Sequence, residues 1–113
     1  MLREFMTLLA DTHLLNELDR VSARADQMIS RIYKRLKEIV RAPPEFSLLT
    51  YLTSEREISD RLKEAKQAAE RLRSPSSSEH EEQRSRDTFV VRKAMLAIEL
   101  QVARLAGLLE ALL

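Results

Sequence analysis

The chain of 113 residues has no cysteine, no tryptophan, one glycine and three prolines. Without cysteine it cannot form disulfides, use a thiolate for catalysis or bind zinc through cysteine ligands. A glycine-rich phosphate-binding loop is excluded as well, because such a loop needs several glycines. Turn-forming residues are scarce while leucine, alanine, arginine and glutamate are abundant, so we predict an all-α protein with few connections between long helices.

Long apolar runs are also missing, since none approaches the roughly 20 residues that a transmembrane helix needs. Near the N-terminus, Glu4 and Asp11 flank a short apolar patch, which fits neither a secretory signal nor a mitochondrial presequence. We therefore expect a cytoplasmic protein that does not associate with membranes. The net charge is only +1. Arginine outnumbers lysine and asparagine occurs once, a composition that favours a thermophilic source.

The most apolar region is the last quarter of the chain, residues 88–113. Its apolar residues recur at alternating spacings of four and three, the pattern of a helix that packs along one seam. The seam consists of Val91, Met95, Ile98, Val102, Leu105, Leu109 and Leu112. Further apolar residues widen this face, so we predict that the helix is the central element of a bundle, covered by more than one neighbour.

Two earlier segments, residues 14–39 and 58–72, carry the same apolar spacing. Ala42-Pro43-Pro44 separates them, because a residue before proline avoids the α region and proline cannot donate a helical hydrogen bond. The predicted fold is an antiparallel three-helix bundle with up-down-up order, in a single domain covering residues 1–113. We place its helices at about residues 2–41, 45–73 and 79–113, with a flexible loop at residues 74–78.

Two helix boundaries have alternatives. Asp11-Thr12 can cap a fresh start, in which case residues 2–10 form a short fourth helix at the N-terminus. Ser54 and Glu57 have the spacing of a capping box at the start of the second helix. Leu48 and Tyr51 extend the same apolar register backward, so one continuous helix from about residue 45 is the alternative.

Residues suited to metal binding or catalysis are few. His13 and Glu17 lie one helical turn apart, so they could share a metal ion, although a surface polar pair has the same spacing. No Glu-x-x-His motif is present to build a di-iron bundle. We predict no catalytic residue, no metal site, no cofactor and no small-molecule substrate.

One short motif points to a different activity. Six residues separate Arg73 from His80, which resembles the Arg-x(4–6)-His motif of the HEPN nuclease superfamily, a group of small all-α domains. The resemblance implies that Arg73 and His80 act together in cleaving RNA. Pro75 and four serines lie between them and no second motif accompanies the pair, so an RNase is the third hypothesis, behind two binding functions.

Positive charge is concentrated in the first helix. Seven basic and two acidic residues lie between Arg20 and Arg41, a local net charge of 7 − 2 = +5. At 100° per residue, five of the basic residues gather on one arc that we expect opposite the apolar seam. The arc is about 22 Å long, enough to contact several phosphates, so it predicts a nucleic-acid surface unless neighbouring glutamates pair with it. These five residues are Arg20, Arg24, Arg31, Lys34 and Arg35.

Both ends of the chain carry more large apolar residues than a three-helix bundle can easily bury. Exposed leucine and methionine in a patch mark a protein interface, unless a short fourth helix covers the bundle end. The first hypothesis is therefore a non-catalytic bundle that assembles with a protein partner or with itself. The second is a nucleic-acid-binding subunit of a nucleoprotein complex. The predicted interface residues are Leu2, Phe5, Met6, Leu9, Leu108, Leu112 and Leu113.

Overall fold

The computed structural model describes residues 2–73 and 81–113, without the side chains of residues 3–5, 7 and 8. The described ranges contain three helices, α1 (Leu2–Glu38), α2 (Leu48–Arg73) and α3 (Glu81–Leu112), and no strand. They form the predicted antiparallel three-helix bundle with up-down-up order. The bundle is a rod of 60 × 19 × 17 Å, because α1 alone is about 55 Å long at 1.5 Å per residue.

Contacts between helix ends fix the chain direction. Near the start of α1, Asp11 pairs with Arg84 near the start of α3. At the other end of the rod, the Arg35 Nε donates a hydrogen bond of 2.9 Å to the carbonyl oxygen of Leu112. The first and third helices are therefore parallel to each other, and α2 runs against both.

The central helix is α3, as the sequence predicted. It packs along both α1 and α2, which contact each other much less. Val91, Ile98 and Leu105 are fully buried on its inner side, and all three belong to the predicted seam. Complete burial of such a side chain contributes about 1.5–3 kcal/mol relative to its exposure.

The start of α2 settles one of the open boundaries. The helix begins at Leu48, where Ser47 Oγ accepts a hydrogen bond of 3.1 Å from the backbone N–H of Thr50. Ser54 lies well inside α2 and is 1% exposed, so the predicted capping box at Ser54 is wrong. The alternative of one continuous helix is confirmed, because the apolar register that includes Tyr51 keeps one face of α2 in the core.

The N-terminal boundary is settled in the same way. α1 is continuous from Leu2 to Glu38, and a separate helix over residues 2–10 is not present. Asp11 caps nothing, because its carboxylate is buried against Arg84.

The connection from α1 to α2 is longer than predicted. The first helix ends three residues before Arg41, and the second begins three residues after Glu45. Between them the backbone N–H of Phe46 donates to the carbonyl oxygen of Pro43 at 3.0 Å. This turn folds the buried Phe46 ring against the bundle, with its centroid 6.1 Å from that of Tyr51.

Candidate interaction surfaces

An exposed apolar surface runs along the side of α3 that faces away from the bundle. Phe89, Leu96 and Leu100 are 65%, 69% and 56% exposed, and Ala103 and Gly107 continue the line. On a helical projection these five residues lie within about 40° of Phe89, and the fully buried seam lies about 180° away. We call these five residues the outer α3 face; it is about 27 Å long.

Side-chain size changes along the outer α3 face. The large residues Phe89, Leu96 and Leu100 come first along the helix, and the small ones, Ala103 and Gly107, follow them. A Cβ atom added to Gly107 would meet no heavy atom within 4 Å, so the space beside this glycine is open. Lys93 interrupts the apolar line, and its Nζ lies 6.0 Å from the centroid of the Phe89 ring.

Charged side chains of opposite sign stand at the two ends of this face. Arg86 precedes Phe89 by three residues and Glu110 follows Gly107 by three residues, and both are exposed. Within residues 2–73 and 81–113, neither has an ion-pair partner. The face therefore has a positive beginning, an apolar middle and a negative end.

The predicted interface residues at the chain ends divide into two groups. Leu2, Met6, Leu9 and Leu113 are 76%, 61%, 54% and 81% exposed, as an interface requires, whereas the side chain of Phe5 lies outside the described residues. Because α1 and α3 are parallel, Leu113 and the N-terminal residues lie at opposite ends of the rod and cannot form one patch.

Leu108 and Leu112 correct the prediction. They are 9% and 4% exposed, so the expectation that they form an exposed patch is wrong. Both belong to the buried side of α3. Arg35 holds this end of α3 by its hydrogen bond to Leu112.

The basic arc of α1 lies in a different place from the one we expected. Its centre is about 90° from the centre of the apolar seam, beside the seam rather than opposite it. Arg24 Nη2 consequently lies 3.1 Å from Glu99 Oε1 on α3. Arg35 donates a hydrogen bond to the C-terminal end of α3. Arg20, Arg31 and Lys34 are exposed and have no ion-pair partner among the residues that the structure describes.

The structure bears on the metal-site hypothesis for His13, but not on the nuclease hypothesis for His80. His13 Nε2 lies 2.7 Å from Glu17 Oε1, beside an open depression of about 270 Å³ that Arg20 and Arg24 also line. No group of three or more potential metal ligands occurs in the described part of the chain, and two arginines would repel a cation there. His80 of the nuclease-like motif lies outside the described residues.

Sequence reasoning missed a polar cluster where α3 begins. Arg84 pairs with Asp11 and also donates to the carbonyl oxygen of Leu72 at 3.3 Å, so it joins all three helices. One turn later, Asp87 is 2% exposed and accepts hydrogen bonds from Arg71 Nη2 at 2.8 Å and Nε at 3.0 Å. The hydrogen bond to Asp87 raises the pKa of Arg71 above its usual value.

This cluster holds the helix ends in register. Gln83 Nε2 adds a third donor to Asp87 at 3.1 Å, and no buried side-chain nitrogen or oxygen among the described residues lacks a partner. Its members come from three helices, so a spacing rule within one helix could not have found it. The outer α3 face could have been found, since the same four-and-three count continues on the opposite side of α3.

Comparison with known proteins adds no relative. No protein-family model, curated protein or solved structure matches this chain. Among the described helices, none is both long enough and apolar enough to cross a membrane.

Proposed function

We propose that the protein is a non-catalytic helical-bundle subunit that works by assembly, binding an apolar helix of a protein partner or of a second copy. The outer α3 face is the main binding surface. The observation that carries the proposal is the exposure of Phe89, Leu96 and Leu100 on one side of a helix whose other side is already buried. The protomer leaves more than half of each of these three side chains uncovered.

The physical reason is the cost of leaving such a face in water. A contiguous exposed apolar stripe on a soluble protein is typical of a protein interface. Covering each large side chain contributes up to about 1.5–3 kcal/mol, from which the entropy lost on association must be subtracted. Leu2, Met6 and Leu9 supply a second, smaller exposed stripe at the start of α1, which can extend an assembly along the rod.

A photo-cross-linking amino acid at position 100, expressed in the organism that makes the chain, tests this function. We expect a discrete protein adduct from position 100 and none from position 59, since Ser59 is an exposed residue of α2 away from the apolar stripe. A Leu96→Glu substitution in the same chain should abolish the adduct. Equal labelling from both positions, or none from position 100, would contradict the proposal.

A second candidate function is contact with a nucleic-acid backbone. It is supported by Arg20, Arg31 and Lys34, which are exposed along about 21 Å of α1. Arg24 and Arg35 count less toward this function, because each already has a partner on α3. The remaining side chains can neutralise a few phosphates without reading base sequence.

Salt dependence tests this second function. If Arg31 contacts phosphate, log K should fall linearly with log salt, and Arg31→Glu should weaken binding and make that slope shallower. The matched control is Arg56→Glu, because Arg56 is an exposed arginine of α2. Binding that is insensitive to salt, or equally weakened by both substitutions, would exclude the arc as the contact surface.

A further inference from the structure

The outer α3 face has the features of a surface that pairs with itself. We propose that it binds the outer α3 face of a second copy, with the two α3 helices antiparallel. This inference rests on the proposed function, because it names the partner of the same surface. Its support is the order of side chains along the face, whose two halves complement each other in size and in charge.

The pairing follows from helix geometry. In an antiparallel pair, an a position of one helix packs against a d position of the other. The line along the face occupies such positions: Arg86, Phe89, Lys93, Leu96, Leu100, Ala103, Gly107 and Glu110. We place the two-fold axis on the outer side of α3, at the level of residue 98 along the helix. Each position of one copy then faces the position of the second copy that is equally far from residue 98 in the opposite direction.

In this register two leucines meet at the centre, and large residues oppose small ones towards both ends. Leu96 packs against Leu100 of the second copy in the centre. Towards each end, the Phe89 ring faces Gly107 of the second copy, where a Cβ would have open space. Lys93 faces Ala103 of the second copy, which leaves room for the lysine stem to lie on the apolar surface while its ammonium group stays in water.

Charge complements size at both ends of the pair. Arg86 faces Glu110 of the second copy, and the two-fold axis repeats this ion pair at the other end. A parallel pair in register would instead set Arg86, Lys93 and Glu110 each against its own copy, and such like-charge contacts are unfavourable.

A shift of one copy along the other would also separate residues that complement each other. Sliding one copy by a heptad would set Lys93 against Glu110, but it would move Phe89 away from Gly107 and Arg86 away from Glu110. Glu99 flanks the face near the axis, where its counterpart on the second copy would repel it. Its ion pair with Arg24 at 3.1 Å offsets that repulsion.

Light scattering or sedimentation measures the predicted pair directly. The purified chain should show a mass approaching twice 13.1 kDa as its concentration rises. Leu100→Glu should weaken association by about a hundredfold or more, since it removes an apolar contact twice in each pair. Leu52→Glu is the matched control and should leave association unchanged, because Leu52 is exposed to a similar extent, 52% against 56% for Leu100.

Cross-linking tests the direction of the helices. The chain has no cysteine, so Leu96→Cys and Leu100→Cys create unique thiols. A mixture of the two single variants should form a disulfide-linked pair, whereas each variant alone should stay largely uncross-linked, because its own thiols lie about a helical turn apart along the axis. Efficient cross-linking of either variant alone would overturn the antiparallel pairing.

Charge reversal tests the register. Arg86→Glu and Glu110→Arg should each weaken association about tenfold. The double variant restores an ion pair of opposite polarity at both ends and should recover most of the lost affinity. No recovery would overturn the register, and helical circular dichroism should be unchanged in all three variants.

Failure of this inference can be told apart from failure of the proposed function. A purified chain that stays monomeric at all concentrations overturns self-pairing. If position 100 then still gives a specific adduct of a different mass in cells, the assembly function survives with another protein as partner. Without that adduct, both are overturned.

Discussion

The two sides of α3 are both apolar, but they have different tasks. The inner side buries Val91, Ile98 and Leu105 completely, whereas the outer side leaves Leu96 and Leu100 more than half exposed. The same residue types on one helix therefore divide into a side that folds the protomer and a side that its own chain does not cover. Substitutions on the inner side should change the free energy of unfolding, and those on the outer side should change association.

The largest expected effect is on the inner side. Ile98→Ala should lower the free energy of unfolding by about 2–5 kcal/mol, because it removes a fully buried side chain and leaves a cavity in the core. Leu96→Ala, two residues earlier but exposed, should stay within about 0.5 kcal/mol of the wild-type protomer. Urea unfolding at low protein concentration measures both values, and similar losses in the two variants would break the distinction between the sides.

The next largest effect on stability is expected at Asp87, the polar residue at the N-terminal end of the inner side of α3. Asp87→Ala should destabilise the protomer by about 1–3 kcal/mol, because Asp87 is 3% exposed in the side chain and accepts charge-assisted hydrogen bonds. Arg71→Ala should cost at least as much as Asp87→Ala, because it leaves the buried carboxylate of Asp87 with Gln83 as its remaining donor, whereas water can solvate the half-exposed Arg71 that Asp87→Ala leaves behind. A clearly smaller loss from the arginine substitution would show that we have assigned the buried partner wrongly.

The difference between the two sides also explains how far the sequence could be interpreted. Spacing of apolar residues along one helix predicted three helices, their order and the central place of α3, because a buried seam leaves a period in the sequence. It could not decide which apolar residues beside the seam would also be covered, since Leu108 is buried and Leu100 is exposed although both are leucines outside the seam. Burial depends on where α1 and α2 pack, and that is a property of all three helices together.

The polar residues show the same limit. Asp11 has the sequence features of a helix cap, but its carboxylate accepts a hydrogen bond from Arg84, which lies 73 residues further along the chain. Arg24 and Arg35 fit a solvent-facing basic arc, but each reaches across to α3. Local rules assign such side chains to solvent or to caps, because a partner on another helix leaves no local signal.

A smaller effect of opposite sign is expected at Gly107 on the outer side. Glycine inside a helix costs about 0.5–1 kcal/mol relative to alanine, and a Cβ here would meet nothing within 4 Å. Gly107→Ala should therefore stabilise the protomer by about that amount, measured by urea unfolding in a Leu100→Glu background that stays monomeric. Ala103→Gly is the mirror control and should destabilise it similarly. A loss of stability from Gly107→Ala would mean that another part of the chain packs on this side.

The smallest effect tests whether the protomer interior is as closed as its inner residues indicate. Burial of Tyr51, reinforced by the negative charge of Glu55, raises the pKa of its phenol above 10.0. The folded state therefore holds this proton more tightly than the unfolded chain, so the contribution to stability is complete below about pH 10 and is lost as pH rises through the folded pKa.

Unfolding free energies measured from pH 9 to pH 11.5 should fall more steeply in the wild type than in Tyr51→Phe. The control is Tyr33→Phe, because Tyr33 is 56% exposed and this substitution should leave the steep fall in place. If Tyr51→Phe keeps the wild-type slope, water reaches the phenol in the folded state and the interior is more open at this end than at Ile98.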